Sequence, residues 1–409
     1  MSEDDDFRAL VRAELERGAP ACLRGKRGDP RAHVWGGKRD KLEYPGSRAW
    51  LELAVRHGWT APAWPIEYGG GGLSAARARI VEQEIARLDL PPPLVGFGLS
   101  MVGPVLLVYG SDAVKREHLP RIARGEVRWC QGYSEPNAGS DLAALQTAAI
   151  LDGDELVVNG QKIWTSYGDL SDWMFMLVRT DAAAARRQAG ITFLLVDLAS
   201  PGIEVRPIRL ISGSSPFCET FFTDVRVPAR NVVGEVNGGW TVAKALLGHE
   251  RAMLASHFGA RGADESGAGW SDTRSSRLVA LARRQGGEAE GKIADAVVRD
   301  RIAQIAIDEV TFAFTVQRLA EDARGAAGRR AGAEASLLKV YGTELNQRRE
   351  ELAMSIVGQQ GLGWEGEGFA AEELAQTRDW LRSRGNTIEG GTSEIQLNVI
   401  AKQALGLPD

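Results

Sequence analysis

Apolar positions along this chain change their period twice. Up to about residue 125 they recur at helical steps: Phe7–Arg17, Ser47–His57, Val102–Tyr109 and Ala113–Arg124 each read as a helix with one apolar face. Ser74 is placed to cap another helix running to about Leu88, which Pro91–Pro93 stops. W-P-I-E-Y-G-G-G-G (Trp64–Gly72) is stiff and then flexible, so it reads as a loop. From Val127 to about Val233 the period becomes two. Glu155–Val158, Trp173–Arg179, Ile191–Asp197, Ile203–Ile208 and Thr220–Val227 are short strand candidates. Turns at Asp152–Gly153, Asn159–Gly160 and Pro201–Gly202 punctuate them. No helix of crossover length separates these strands, so the sheet should be mainly antiparallel, a small barrel or sandwich. After Gly238–Gly239 the helical period returns. Trp240, Ala243, Leu247, Glu250 and Leu254 share one stripe, and Leu278–Arg284 resumes a helix interrupted at Gly286–Gly287. Val298, Ile302, Ile305, Glu309, Phe312, Val316 and Leu319 form a long seam of the kind that packs in a bundle.

The expected fold is therefore α+β: an N-terminal α-helical domain (1–126), a central antiparallel β-barrel or sandwich domain (127–236) and a C-terminal four-helix-bundle-like domain (237–409). A length of 409 residues agrees, because one hydrophobic core does not grow that large. The chain is 44% hydrophobic and 25% charged with net charge −5, which argues against a nucleic-acid partner and offers nothing to a membrane surface. No apolar run is long enough to span a bilayer. The acidic start M-S-E-D-D-D-F does not resemble a signal peptide. Cys22, Cys130 and Cys218 lie far apart and read as reduced thiols, pointing to a cytoplasmic protein. With five histidines, none paired at ligand spacing, no metal site is expected.

Three stretches carry candidate chemistry. Q-G-Y-S-E-P-N-A-G-S-D (Gln131–Asp141) is small, polar and turn-forming; Pro136, Asn137 and Gly139 should bend it, leaving the Tyr133, Ser134 and Ser140 hydroxyls and free N–H groups on offer. Such a loop suits an uncharged heteroaromatic ring or its phosphate tail. V-N-G-Q-K-I-W-T-S (Val158–Ser166) reads as a turn and then a strand presenting Trp164 beside Thr165 and Ser166. Either stretch alone is equally well a surface hairpin. N-T-I-E-G-G-T-S-E-I-Q (Asn386–Gln396) puts Gly390 and Gly391 before a helix that Thr392 can cap, which is an ordinary N-cap or a set of N–H groups aimed at a polarised carbonyl.

Two carboxylates sit on apolar stripes. Burying a lone carboxylate is costly, so Glu250 and Glu309 must each be paired, hydrogen-bonded, protonated or functional. For Glu309 a salt bridge is the simpler reading. Glu250 is flanked by His249 and Arg251, and a carboxylate in an apolar pocket can serve as a general base near neutral pH.

Taken together, these stretches resemble the acyl-CoA dehydrogenase family. The three motifs occur in family order, joined by F-F-T-D-V-R-V-P with N-V-V-G-E-V-N-G-G-W, and W-P-I-E-Y-G-G resembles bacterial members. The resemblance runs from about Trp50 to Leu407. It implies the same order of helical, β and helical domains, an FAD cofactor, and oxidation of an acyl-CoA thioester to a trans-2-enoyl-CoA with electrons passed to an electron-transfer flavoprotein. It implies that Ser134 and Ser166 hydrogen-bond the flavin and that Trp164, next to Thr165, packs on its ring. Gln131, Tyr133, Gly139 and Ser140 would line the same loop, with Ser140 also near the pantetheine chain. The Gly390 N–H would polarise the thioester carbonyl, Thr392 and Glu394 would meet the adenosine half of FAD, and Arg251 would lie near CoA. Leu90–Val108 and Glu250–Gly259 would line the acyl tail.

The chain departs from the family pattern in two places. Many members carry the catalytic glutamate where this chain has Gly390; others place it in an E-R dipeptide on the earlier helix, and here H-E-R supplies Glu250. The family's Arg-x-x-Phe, part of an FAD contact between subunits, is reduced to Arg283 without the Phe, and Ser355 replaces a family glutamine. A homo-oligomer (dimer or tetramer) is one expectation, a hetero-oligomer with a homologous subunit that completes the site is another, and a flavin oxidase or monooxygenase on the same scaffold is a third. CoA and an acyl-carrier thioester are both open as the substrate's handle.

Overall fold

The computed structural model describes residues 2–247, 274–322 and 331–408. The chain divides into two compact units, Met1–Ile208 with Pro216–Leu246 and Arg209–Ser215 with Leu247–Asp409.

The first unit opens with helices α1 (Glu3–Gly18), α2 (Ser47–Arg56), α3 (Ala75–Arg87), α4 (Gly103–Tyr109) and α5 (Asp112–Ala123). Helix α1 starts four residues before the apolar pattern does. Ser2 and Asp5 form a reciprocal capping box, and Glu3, Asp4, Asp5 and Asp6 in the first turn favour the positive end of the helix dipole. The acidic start is thus a helix N-terminus. Ser74 caps α3 as its position foretold, accepting from the Arg77 N–H at 3.3 Å. Val11, Leu15, Leu23, Trp50, Leu53, Val81 and Ile85 make the core of this part. Glu84 on α3 is buried and accepts from Arg8 and Arg12 of α1 and from Arg87, which clamps α1 to α3.

The strands follow: β1 (Trp129–Gly132), β2 (Ala148–Asp152), β3 (Glu155–Ser166), β4 (Trp173–Arg179), β5 (Ile191–Asp197), β6 (Ile203–Ile208), β7 (Phe217–Pro228) and β8 (Val232–Val233). They form one eight-stranded sheet, ordered β6-β7-β3-β2-β4-β5-β8, with β1 paired to β4. Pairing is mainly antiparallel, as the alternation predicts. The exceptions are β1 with β4 and the single Ala148–Arg179 pair, which run parallel. Among the described residues the pairing is an open path and does not close into a ring.

The Asn159–Gly160 turn is a correction. Both residues lie inside β3, and a register shift against β7 falls between Val158 and Gly160. Gly160 has φ +149°, and a Cβ there would fall 2.6 Å from the Thr147 hydroxyl oxygen, so glycine here marks a bulge under close packing rather than a chain reversal.

Residues 239–247 form the described part of α6, where Val242, Ala243 and Leu246 are buried. In the second unit are α7 (Arg274–Gly286), a hairpin of β9 (Glu288–Ala289) and β10 (Lys292–Ile293), α8 (Ala296–Asp322), α9 (Ala331–Val357), α10 (Ala371–Ser383) and α11 (Ser393–Val399). The α8 seam is buried as its spacing required: Ile302, Ile305 and Phe312 pack with Leu281, Leu338, Leu345 and Leu352. Among the described residues no helix is long and apolar enough to cross a membrane.

Candidate active site

The loop after β1 is shaped by an ion pair to which the sequence reading gave no weight. Gln131 is still in β1, opposite Phe175. The bend closes between Glu135 and Ala138, whose backbones exchange hydrogen bonds of 2.9 and 3.0 Å, leaving Pro136 and Asn137 at an exposed tip. Lys162 of β3 reaches under the loop and donates to the Glu135 carboxylate (2.7 Å) and the Tyr133 carbonyl (3.1 Å). Glu135 also accepts from the N–H groups of Gln146 (2.6 Å) and Thr147 (2.9 Å). Burial alone would raise the pKa of Glu135, but the Lys162 charge and these donors more than offset it and hold the carboxyl below its usual range. The loop is therefore tied to β3 at a fixed point. The glutamate of S-E-P and the lysine of G-Q-K were visible in the motifs, but nothing local paired them.

The two motifs lie side by side. The Ser134 carbonyl accepts from the Ile163 N–H at 2.9 Å, which sets the loop against the turn of β3 that bears Trp164. A second register shift, between Lys162 and Thr165, coincides with φ +60° at Trp164 and turns the indole outward. Trp164 is 52% exposed and meets Phe217 edge-on at 6.1 Å. Ser134 and Ser166 are half-buried, and Gly139 and Ser140 are exposed. A Cβ on Gly139 would meet no described atom within 4 Å, so the space beside it is open. An outward indole on a turn hydrogen-bonded to Ser134 and two residues before Ser166, with an uncrowded glycine in the same loop as Ser134, fits a planar heteroaromatic cofactor such as the isoalloxazine of FAD.

Two residues assigned to the cofactor surface, one in each motif, face elsewhere. The Tyr133 ring is buried, edge-on to Phe175 and Phe193, because its place after β1 points it into the core. The Thr165 side chain is fully buried, with its hydroxyl 3.4 Å from that of Thr220. Only the backbones of these two remain for a ligand.

The C-terminal turn lies in the second unit. Gly390 and Gly391 have φ +65° and +89°, a left-handed pair that glycine adopts without strain. Thr392 caps α11, accepting from the Ile395 N–H at 3.3 Å. The Gln396 amide donates to the Gly390 carbonyl at 3.0 Å, which fixes the peptide plane of the turn. Glu394 is exposed; its own N–H and the Thr392 hydroxyl hold its carboxyl below the usual range. Glu389 is held by Arg382 (2.7 Å) and Asn386 (2.6 Å) and is not free. Glu250 and Arg251 lie outside the described residues. Arg283, at the end of α7, pairs with Glu288 of β9 at 2.8 Å, and Ser355 accepts from Arg301 at 3.1 Å. Glu309 is paired as its simpler reading held: it lies 3.6 Å from Arg349 and accepts from the Ser275 N–H at 3.0 Å.

Comparison with known proteins agrees with this arrangement. The family models for the acyl-CoA dehydrogenase N-terminal, middle and C-terminal domains match residues 24–126, 130–225 and 237–405. The chain is 37% identical to the acyl-CoA dehydrogenase IpdE1 of Mycobacterium tuberculosis, covering 100% of this chain and 99% of the relative. It is 36% identical to IpdE1 of Mycolicibacterium smegmatis with the same coverage. Among solved structures, the Tcur3481-Tcur3483 steroid ACAD matches with TM-score 0.73 and 30% identity over 99% of this chain and 97% of the other. The ChsE4-ChsE5 complex from Mycobacterium tuberculosis matches with TM-score 0.68 and 30% identity over 100% and 98%.

Proposed function

The chain belongs to the acyl-CoA dehydrogenase family of oxidoreductases, and on that premise we propose that it oxidises an acyl-CoA thioester to the trans-2-enoyl-CoA with FAD as cofactor. The observation that carries this reading is the Ser134–Ile163 hydrogen bond, which joins the two flavin-type motifs beside the outward-facing Trp164.

Each residue has a role in that chemistry. Glu250 removes the α-proton of the thioester. The Gly390 N–H, held by the Gln396 bond to the neighbouring carbonyl, polarises the thioester oxygen as enolate charge develops. Ser134 and Ser166 hydrogen-bond the flavin edge, Trp164 packs on its ring, and Gln131, Gly139 and the Tyr133 and Thr165 backbones shape the rest of that surface. Thr392 and Glu394 meet the adenosine half, while Ser140 and Arg251 meet CoA. FAD, when bound, supplies the acceptor for the β-hydride. Electrons then pass to an electron-transfer flavoprotein; oxygen uptake without an added acceptor would identify an oxidase instead.

A second reading has its own support. Arg283 pairs with Glu288, no Phe follows it, and Ser355 binds Arg301, so the surface that would serve a neighbour's FAD is altered. Two similar solved structures are named as pairs of chains, Tcur3481-Tcur3483 and ChsE4-ChsE5. Such a pairing with a homologous subunit, and a steroid-derived acyl group, are the corresponding proposals here.

The test is the visible spectrum of the protein purified alone, then with acyl-CoAs added. A flavin band that bleaches supports the dehydrogenase. A colourless protein that turns yellow only beside a co-expressed homologue supports the paired form. Glu250→Gln should keep the band and lower turnover by about 10²–10⁴-fold.

A further inference from the structure

Gln396 of α11 is buried, and its amide nitrogen donates to the Gly390 carbonyl at 3.0 Å. A Cβ on Gly391 would fall 2.2 Å from that nitrogen, so the amide is packed hard against the turn. Its orientation matters. Turned over, it would set its own oxygen against the Gly390 carbonyl oxygen, two acceptors with no proton between them.

Three buried polar atoms on the facing helices have no hydrogen-bond partner among the described residues. Two belong to α11, which packs on α9: the Gln396 amide oxygen and, one turn earlier on the same face, the Ser393 hydroxyl. The third is the ammonium nitrogen of Lys339 on α9, a side chain that is fully buried. Two turns further along α9, Asn346 donates to Asn386 at 2.7 Å and Gln347 to Thr387 at 3.2 Å, so α9 also holds the segment that leads into the turn. The charges of Glu389 and Glu394, on either side of Gly390, act on the Lys339 ammonium together with that of Glu344, but burial outweighs them and keeps its pKa below the usual lysine value. None of these carboxylates accepts from it. Glu389 is taken by Arg382 and Asn386, and Glu344 and Glu394 are exposed.

A buried ammonium without an acceptor and a buried amide oxygen without a donor are each costly alone and complementary together. An internal water makes about three hydrogen bonds, enough to accept from Lys339 and donate to Gln396 and Ser393. We propose that Gln396 is the positioning residue for the Gly390 N–H and that the Lys339 ammonium, through one such water, holds its amide the right way round. This rests on the acyl-CoA reading above, in which that N–H polarises the thioester.

The test compares Gln396→Leu, Lys339→Met and the double variant in the full chain, with its partner subunit if one proves necessary. Stopped-flow flavin reduction is followed with whichever of a panel of straight-chain and steroid side-chain acyl-CoAs bleaches the flavin. Each single variant should lower the limiting rate by about 10–100-fold, the range for a misplaced catalytic group, while the apparent Kd for acyl-CoA stays within about twofold. The double variant should be no slower than Gln396→Leu, because Lys339 acts through that amide. Hydrogen exchange without substrate should show less protection of the backbone from Gly390 to Gln396 in every variant. Losses that multiply in the double variant, or a natural rate and natural protection in Lys339→Met, would overturn the proposal. Lys339→Gln, which removes the charge, covers the case in which the Met variant does not fold, and a natural rate in it would overturn the role of the ammonium. If no acyl-CoA bleaches the natural protein, the dehydrogenase reading fails, while hydrogen exchange still decides whether Lys339 and Gln396 hold the turn.

Discussion

The Lys162 ammonium lies 2.7 Å from the Glu135 carboxylate, and the two side chains are 0% and 8% exposed. One buried ion pair thus ties the loop after β1 to the middle of β3. Removing one partner of such a pair leaves a desolvated charge. Glu135→Gln should cost about 3–5 kcal/mol in denaturant unfolding and weaken flavin retention. The double change Glu135→Gln with Lys162→Met should recover much of that loss. A single variant as stable as the natural chain would show that the pair does not hold the loop.

Acid should loosen the join between α5 and the sheet. Both ring nitrogens of His118 are buried without a hydrogen-bond partner, and the imidazole is edge-on to Trp129 and Trp173. Burial pushes its pKa down to about 4 from 6.5, with Glu117 and Asp197 opposing and Arg121 assisting. The unfolded chain therefore binds this proton more tightly. The associated stability is intact above pH 6.5 and is lost as pH falls towards 4, up to about 3 kcal/mol. His118→Phe should flatten the slope of unfolding free energy across that window. An unchanged slope would assign it to other groups.

Two glycines should respond differently to alanine. At Gly391, φ is +89° and a Cβ would fall 2.2 Å from the Gln396 amide nitrogen. That amide must swing away and release the Gly390 carbonyl. Gly391→Ala should lower kcat by about 10–100-fold through a misplaced N–H, with the flavin spectrum retained. Gly139→Ala meets no described atom within 4 Å. It should leave thermal stability unchanged and lower only FAD affinity, as measured by cofactor titration of the apoprotein.

The glutamate beside the C-terminal turn should prove dispensable for proton removal. Glu389 is engaged by Arg382 and Asn386. In stopped-flow flavin reduction, Glu389→Gln should stay within about tenfold of the natural rate, against the 10²–10⁴-fold loss expected for Glu250→Gln. The reverse order would move the base to Glu389.

Local patterns in the sequence determined much of the fold. The bounds of β4, β5 and β6 follow from apolar runs and their turn residues, and Ser74 and Thr392 mark helix starts because capping is a property of a few consecutive residues. The family motifs, too, are contiguous strings. Tertiary structure decided what depends on partners distant in the chain. β1 and β2 are short, and their strand character comes from their pairing with β4 and β3. Gly160 resembles a turn residue until Thr147 is seen pressed against it. Tyr133 reads as a loop hydroxyl until Phe175 and Phe193 enclose it. Lys162 and Glu135 stand 27 positions apart, and no periodicity links them. Arg128 illustrates the same limit: its charge is plain in the sequence, but only the tertiary structure shows it packed between the rings of Trp35 and Tyr167.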